Sequence, residues 1–254
     1  MTQHELLALY NGVPCGALRV QCGVPHLLAV STCTSTMDLA HQLATDGAPH
    51  GSLVVADAQE TGRGRSGKSW VSDRDAGVWA SVLLREPGDA PPGVLALRVG
   101  LALADALDAE SRQRIRVKWP NDLLVGEEKL AGILCEARWR GAVMEWIVVG
   151  VGVNVQTSAH VQSSTGLQSS ARRASVLVAV ARAIMQAADR SGPLDADELA
   201  HFAARDVARG RAIVSPLEGM VLGITNRGGL VVRTARDDEE VIAGSLRFRS
   251  PAEV

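Results

Sequence analysis

Hydrophobic and polar positions alternate in blocks that predict strands and helices up to about residue 208. Short apolar runs bounded by turn residues are typical of buried strands, and they occur at residues 27–30, 52–56, 78–84, 114–119, 123–125, 130–137 and 146–155. Apolar residues at helical spacing predict helices at residues 35–47, 94–109, 175–188 and 195–208. Residues 1–26 have a weak pattern and predict no helix. We therefore expect an α/β (α+β) fold in which helices flank a mixed, largely antiparallel sheet.

From residue 210 onward the pattern changes to short strands separated by turns. The strands are expected at residues 212–214, 220–225, 230–233 and 241–242. Asn226-Arg227-Gly228-Gly229 predicts a hairpin turn between two of them. A series of short strands in so few residues is typical of a small barrel. We expect two domains, a larger one at residues 1–208 and a small β-barrel at residues 209–254.

Composition narrows the classes of protein. The chain has 254 residues, a formal net charge of -2 and 46% hydrophobic residues, as in ordinary globular proteins. The net charge of -2 provides no basic field, and 3% aromatic residues provide few stacking surfaces. Both features argue against a nucleic-acid-binding protein. No apolar run reaches the ~18 residues needed to cross a bilayer, and residues 1–10 do not resemble a secretory signal. We expect a cytoplasmic protein with no membrane or nucleic-acid partner. The four cysteines form no C-x-x-C pair, so we interpret them as reduced thiols and not as zinc ligands.

One glycine-rich loop fits two phosphate-binding patterns. Residues 62–69 read Gly-Arg-Gly-Arg-Ser-Gly-Lys-Ser, which matches both G-x-x-x-x-G-K-[ST] and G-x-G-x-x-G. Both patterns require a helix directly after the loop, but residues 70–77 have no helical period. We expect a flap between two strands that brings the charges of Arg63, Arg65 and Lys68 to a ligand. A solvated surface loop and a P-loop NTPase are the alternatives.

Lysine is rare in this chain, and its three positions are informative. Of the 26 basic residues, only Lys68, Lys118 and Lys129 are lysines. A lysine presents a compact charge on a flexible stem, which an arginine fork does not replace. Lys118 opens the sequence Lys-Trp-Pro-Asn-Asp, which predicts a strand end with a polar turn, and Lys129 opens Lys-Leu-Ala-Gly-Ile-Leu. A simple turn with a surface lysine is the alternative at Lys118.

Valine and glycine alternate at residues 149–153, directly before Asn154. Glycines on one face of a strand leave a shallow trough. A flat ring such as adenine could lie there, and the Asn154 amide could both donate and accept hydrogen bonds. A close contact between a helix and the strand explains the glycines equally well.

Taken together, five segments resemble the catalytic core of the biotin protein ligase family. They are Ser35-Thr36, Gln59 with the loop at 62–70, and the segments at 118–122, 129–134 and 150–154. The resemblance covers residues 28–250 and includes a C-terminal barrel of the Src-homology-3 type. It matches the monofunctional form, which lacks an N-terminal DNA-binding domain.

The resemblance implies a two-step reaction that uses ATP, Mg²⁺ and biotin. Biotin and ATP would form biotinyl-5'-AMP, and a lysine of a biotin carboxyl carrier protein, such as that of acetyl-CoA carboxylase, would then take the biotinyl group. The implied catalytic residues are Lys129, Arg65 and Arg63. The implied biotin-binding residues are Ser35, Thr36, Met37, Gln59, Gly62, Arg63, Gly64, Arg65, Lys129 and Gly132. The implied ATP- and adenylate-binding residues are Arg65, Lys68, Trp70, Lys118, Asn121, Asp122, Gly152 and Asn154, with Asp122 as the Mg²⁺ ligand.

One residue departs from the family pattern. The family usually has Asn after the Ser-Thr pair, where this chain has Met37, and a thioether cannot replace an amide that donates and accepts. The lipoate and octanoate ligases, which share the fold, therefore stay an alternative, as does a non-catalytic biotinyl-adenylate binding protein. The oligomeric state is left open, a homodimer included. The flap at residues 60–77 is expected to order over the adenylate and exclude water.

Overall fold

A seven-stranded mixed sheet forms the centre of the larger part of the molecule. The structure is a computed structural model and describes residues 4–85, 91–157 and 161–249. The helices are α1 (Cys15–Cys22), α2 (Thr36–Thr45), α3 (Pro92–Leu107), α4 (Arg173–Ala188) and α5 (Ala196–Arg205). The strands are β1 (Leu9–Tyr10), β2 (Val13–Pro14), β3 (Leu27–Cys33), β4 (Ser52–Gln59), β5 (Gly62–Arg63), β6 (Ser69–Trp70), β7 (Gly77–Arg85), β8 (Arg116–Lys118), β9 (Asp122–Val125), β10 (Glu128–Arg140), β11 (Val143–Asn154), β12 (Ala212–Ser215), β13 (Gly219–Ile224), β14 (Leu230–Arg233), β15 (Asp238–Val241) and β16 (Arg247–Phe248).

The order of strands in the large sheet is β3-β4-β7-β11-β10-β9-β8. Only β3 and β4 pair in parallel, and the other neighbours are antiparallel. The α/β fold with a largely antiparallel sheet is thus confirmed. In the described part of the chain, no helix is long and apolar enough to cross a membrane.

Helices cover both faces of this sheet, which explains why its central strands are apolar on both sides. Along β4 the side chain of Val54 packs in one cluster with Met37 and Ala40 of α2. The neighbouring Leu53 and Val55 belong to the cluster that includes α3 and α4. Successive residues of a strand point to opposite faces, so α2 lies on one face and α3 and α4 lie on the other.

The helix starts follow local signals in the sequence. The Ser35 hydroxyl accepts a hydrogen bond from the Met37 N–H at 3.3 Å and caps α2. At α5, Asp195 and Glu198 form the reciprocal capping box that the spacing predicts. That helix ends at Arg205, three residues before the predicted end.

Several elements differ from the predictions, among them the short strands β1, β2 and β16, which were not predicted. Helix α1 was not predicted, because only Leu18 and Cys22 are buried in its eight residues and the apolar period is therefore short. Strand β15 lies at Asp238–Val241 and not at 241–242. Its exposed acidic residues pair with β14 through the backbone, which hydrophobic periodicity does not reveal.

Residues 212–248 form a second sheet of five antiparallel strands in the order β15-β14-β13-β12-β16. This sheet is consistent with the expected Src-homology-3-like barrel. The hairpin turn predicted at 226–229 connects β13 and β14. The Trp119 indole Nε1 donates to the Gly228 carbonyl at 2.9 Å, so the turn packs against the large sheet.

Candidate functional site

The glycine-rich loop forms a small hairpin between β4 and β7. Strand β5 pairs with β6, and residues 65–67 between them form a turn in which Ser66 has φ 56° and Gly67 has φ 73°. The chain continues into β7 without an α-helix. The prediction of a strand-to-strand flap is confirmed, and neither phosphate-loop pattern finds the helix it requires. We call residues 60–77 the flap.

Under the flap lies a cavity of about 160 Å³, which we call the inner cavity. Its lining residues come from the flap, the start of α2, the strands β4, β7, β9, β10 and β11, Asn121 before β9, and Ser245 before β16. Predicted site residues among them are Ser35, Thr36, Met37, Gln59, Arg63, Gly64, Arg65, Lys68, Trp70, Asn121, Asp122, Lys129, Gly132 and Gly152. The fold therefore brings nearly all predicted biotin-binding residues to one place. Gly62 lies beside it, where an added Cβ would approach the Gln59 amide and the Ser72 hydroxyl within 3.0 Å.

A closed hydrogen-bond cluster of four side chains stands beside the inner cavity. Gln59 Oε1 accepts from the Thr36 N–H at 2.8 Å and from the Thr36 hydroxyl at 3.1 Å. Gln59 Nε2 donates to Ser72 Oγ at 2.7 Å, and Thr36 Oγ1 lies 2.8 Å from Ser81 Oγ. We call Thr36, Gln59, Ser72 and Ser81 the polar cluster. Its members satisfy one another, which fixes their orientation.

A second cavity of about 360 Å³, the outer cavity, adjoins the first. Lys118, Asn154 and the loop residues 161–164 line it. The two cavities share five lining residues, which are Ser69, Trp70, Trp79, Asp122 and Lys129. Two ligands could therefore meet at this shared wall.

Lys129 stands at the junction of the two cavities. Its Nζ lies 2.7 Å from Asp122 Oδ1 and 4.9 Å from the centroid of the Trp70 ring. The pairing of β10 with β9 shifts register between Lys129 and Ala131, and such a bulge re-aims a side chain. The Lys129 backbone also exchanges hydrogen bonds with Ser163 and Thr165, which ties the loop of the outer cavity to β10.

The glycine trough on β10 and β11 is filled by side chains of the protein itself. A Cβ added at Gly152 would lie 2.6 Å from the Trp70 ring, and one at Gly132 would lie 2.8 Å from it. A Cβ at Gly150 would lie 2.8 Å from Met37 Sδ. The predicted trough exists, and the Trp70 indole lies in it. Trp70 Nε1 is buried and finds no hydrogen-bond acceptor among the described residues.

The two arginines of the flap have different surroundings. Arg63 pairs at the surface with Asp38 at 2.9 Å and Glu136 at 3.4 Å, which offsets its charge. Arg65 points inward, where its Nη1 donates to Asn121 Oδ1 at 3.3 Å and to the Gly244 carbonyl at 3.0 Å. Burial lowers the pKa of Arg65, against the opposing effect of the nearby Asp122 charge. Arg65 is therefore the better-placed of the two to meet an anion.

The two asparagines of the site hold the backbone of β10. Asn121 Nδ2 donates to the Ile133 carbonyl at 2.7 Å, and Asn154 Nδ2 donates to the Lys129 carbonyl at 3.2 Å. Their role as adenylate ligands stays a prediction, and in this structure they position the strand that carries Lys129.

Lys118 lies on the outer-cavity side. Burial lowers the pKa of its amine, and the nearby charge of Lys129 adds to this effect, while Asp122 opposes it. Its Nζ is 5.6 Å from the Phe248 ring of the second sheet.

Several residues of the site were missed from the sequence. Ser81 is fully buried within the apolar strand β7, and a polar residue inside such a run is itself a signal for a buried hydrogen-bond partner. Gly244 and Phe248 gave no comparable signal, because their contacts join segments far apart in the chain.

Asp122 is a candidate ligand for the implied magnesium ion. Within residues 4–85, 91–157 and 161–249, no group of three or more His, Cys, Asp or Glu side chains could hold a metal. Mg²⁺ usually takes one or two protein carboxylates together with substrate phosphates and water. Asp122, which lines both cavities, fits that requirement.

About half of the chain is similar in sequence to known ligases. Residues 29–154 match the model of the biotin/lipoate A/B protein ligase family. The chain is 37% identical over 132 residues to the bifunctional ligase/repressor BirA of Bacillus spizizenii, a match that spans 51% of this chain and 40% of that protein. It is 35% identical over 134 residues to the biotin--[acetyl-CoA-carboxylase] ligase of Mycobacterium tuberculosis, a match that spans 50% of this chain and 48% of that protein. The match thus spans less than half the length of either relative.

The fold also matches a solved structure. The biotin protein ligase from Aquifex aeolicus in complex with biotin and ATP superposes with a TM-score of 0.75 at 23% identity. The superposition covers 89% of this chain and 100% of that one. The likeness therefore extends over most of the chain.

Proposed function

Since residues 29–154 match the biotin/lipoate A/B protein ligase family, we propose that the chain is an ATP-dependent biotin protein ligase. It activates biotin as biotinyl-5'-AMP and transfers the biotinyl group to a lysine of a biotin carboxyl carrier protein. The observation that carries the proposal is the junction of two cavities at Lys129, because the reaction must bring two anions together at one point.

In the first step, an oxygen of the biotin carboxylate attacks the α-phosphorus of ATP, and pyrophosphate leaves with the electron pair of the broken P–O bond. The attack brings the negative carboxylate against a negative phosphate, and charge grows on the phosphoryl oxygens. Lys129 exchanges its ion pair with Asp122 for the carboxylate and phosphate oxygens. Arg65 contributes a second charge from the flap, and Arg63 anchors the flap through Asp38 and Glu136 until a ligand competes for it.

In the second step, the neutral amine of the carrier lysine attacks the carbonyl carbon of the mixed anhydride. AMP leaves and a proton leaves the amine, so an amide replaces the acyl phosphate. The flap covers the inner cavity and keeps water from the anhydride before the carrier arrives. Asp122 would hold Mg²⁺ together with the substrate phosphates, and the ion would supply charge neutralisation there.

The polar cluster is assigned to the head group of the acid, and Trp70, Asn121 and Asn154 to the adenylate. In this assignment biotin fills the inner cavity with its carboxylate at Lys129, and the nucleotide fills the outer cavity. Trp70 leaves the glycine trough or turns within it to make room for the ligands.

Met37 favours a second candidate, a lipoate or octanoate ligase of the same reaction type. The residue is 3% exposed and lines the inner cavity, where it presents a thioether and no hydrogen-bonding group to the acid. An acid with an apolar or sulfur-bearing head group would meet no unpaired polar atom there.

Mass spectrometry of a biotin carboxyl carrier fragment tests the proposal. We expect the fragment to gain one biotinyl group when it is incubated with the protein, ATP, Mg²⁺ and biotin. Replacement of the target lysine of the carrier should abolish the gain. Modification with lipoate and not with biotin would favour the second candidate, and ATP hydrolysis without either acid would contradict both.

We further propose a domain boundary between residues 208 and 209 and a cytoplasmic location. The change from helix α5 to the strands of the second sheet supports the boundary. The need for ATP and for a carboxylase subunit supports the location.

A further inference from the structure

An apolar side chain, that of Met37, lines the inner cavity close to the polar cluster. Met37 is the second residue of α2 and is buried at 3% exposure between that helix and the sheet. Its Sδ and Cγ occupy the place where a Cβ of Gly150 would stand, at 2.8 and 3.0 Å from that position. Because Gly150 has no side chain, the Met37 thioether can occupy this space. Met37 and Gly150 together form the wall of the cavity next to Thr36.

The polar cluster beside this wall does not depend on a ligand for its hydrogen bonds. Gln59 Oε1 already accepts two bonds from Thr36, and Gln59 Nε2 already donates to Ser72. The Thr36 hydroxyl also pairs with Ser81. Each of these four side chains therefore keeps at least one hydrogen-bond partner when the head group has no polar edge. The Met37 side chain has no hydrogen-bond donor, so such a head group leaves no donor of Met37 unpaired either.

The geometry points to Met37, seated in the space above Gly150, as the residue that determines which acid head group the inner cavity accepts. This inference rests on the proposed ligase function. Met37 presents an apolar, polarisable thioether to one face of the ring of the acid head group. The polar cluster faces the polar edge of the same ring. The cavity accepts sulfur-containing rings with and without a cyclic urea, that is, both biotin and lipoate.

The size of the discrimination follows from the kind of contact. Apolar pockets separate similar ligands by only about 10–200-fold, whereas a buried group left without its hydrogen bond separates them by about 10⁴–10⁵-fold. With Met37 in place, the inner cavity discriminates between acid head groups as an apolar pocket does, by only about 10–200-fold. An asparagine at the same position would add a donor and an acceptor that only a urea-bearing ring satisfies.

Calorimetric titration with biotin and with lipoate, without nucleotide, tests the inference. We expect wild type to bind both acids measurably, and Met37→Asn to raise the ratio of the lipoate Kd to the biotin Kd about tenfold or more. Met37→Leu, which keeps an apolar side chain of similar volume, is the matched control and should change the ratio only a few-fold. An unchanged ratio in Met37→Asn, an equal change in Met37→Leu, or no lipoate binding to wild type at millimolar concentration would overturn the inference.

A second variant keeps the test decisive if Met37→Asn does not fold. Gly150→Ala should displace the Met37 thioether and weaken the binding of both biotin and lipoate about tenfold. The double variant Gly150→Ala with Met37→Ala should regain most of the lost affinity. Equal weakening in the single and double variants would overturn the inference. Because these readouts need no turnover, carrier labelling remains a separate test. A protein that shows the expected binding ratios but labels no carrier would refute the ligase and leave the assignment of Met37 standing.

Discussion

At the scale of single residues, a lysine and a tryptophan mark the place where two ligands would meet. Lys129 is held by Asp122 and lies over the Trp70 ring, so its charge is positioned without being buried. Sequence reasoning singled out Lys129 by the scarcity of lysine in an arginine-rich chain. Its contact with Asp122, only seven positions away, depends on the bulge that follows Lys129 in β10.

Replacement of Lys129 by alanine should slow adenylate formation by about 10²–10³-fold, because the charge that faces the developing phosphoryl oxygens is lost. Biotin affinity should change much less, since the polar cluster is untouched. Pyrophosphate release in a single turnover measures the first effect, and calorimetric titration with biotin measures the second. A variant that releases pyrophosphate at the wild-type rate would remove Lys129 from the mechanism.

At the scale of elements, the β10–β11 pair shapes the site because it has glycines, which lack side chains, at facing positions. Gly132 and Gly152 lie opposite each other in the ladder, and the Trp70 ring packs on both. Glycine weakens a strand, and here it allows an aromatic side chain from the flap to approach the sheet.

Gly152→Ala should expel the Trp70 ring from the trough, because the new Cβ would lie 2.6–2.9 Å from ring atoms. We expect a red-shifted tryptophan emission and at least tenfold slower adenylate formation. Gly93→Ala is the matched control, since its Cβ meets no atom within 4 Å and lies in α3. That variant should keep wild-type emission and activity, with unfolding stability equal or slightly higher. Wild-type emission and rate in Gly152→Ala would contradict this account of the trough.

Helix α5 is attached to α3 by a buried ion pair that responds to pH. Glu198 is 8% exposed, and Arg98 donates to both of its carboxylate oxygens at 2.8 and 3.1 Å. Burial alone would raise the pKa of Glu198, but the hydrogen bonds and charge of Arg98 hold it below the ordinary value of 4.5. The pair therefore adds stability above about pH 4.5, and that stability is lost as the pH falls through the lower folded-state pKa.

Urea unfolding at neutral pH and at pH values below 4.5 should show this loss in wild type. Glu198→Gln should remove that part of the pH dependence. Glu198→Ala should cost about 3–5 kcal/mol at neutral pH, because the buried Arg98 charge loses its partner. If wild type and Glu198→Gln lose stability in parallel on acidification, other carboxylates are responsible.

At the scale of the whole molecule, the two sheets share one hydrophobic core. Ile213, Leu230 and Val232 of the second sheet belong to the same buried cluster as Val94 and Leu97 of α3. Arg65 of the flap also donates to the Gly244 carbonyl, so the second sheet completes the site. The domain boundary proposed above therefore does not separate two independent cores.

Calorimetry should show a single unfolding transition whose calorimetric and van't Hoff enthalpies agree, because apolar side chains of both sheets belong to one buried cluster. Trp119→Phe removes the hydrogen bond to Gly228 and should lower stability by about 1 kcal/mol without splitting the transition. Two resolved transitions in wild type would show that the sheets unfold separately.

The sequence by itself determined the elements whose signals are local. The cap at Ser35, the capping box at Asp195 and the position of the flap between two strands all follow from residues a few positions apart. The motif residues that resemble biotin ligases line two adjoining cavities.

Only the tertiary structure decided the contacts that join distant segments. Thr36 and Ser81 are 45 positions apart, and Arg65 and Gly244 are 179 apart, so no periodicity links them. The structure likewise decided that Trp70 fills the glycine trough and that Arg63 faces Asp38 and Glu136. Such contacts depend on how the flap, α2 and both sheets are folded against one another, which local propensity and hydrophobic spacing do not encode.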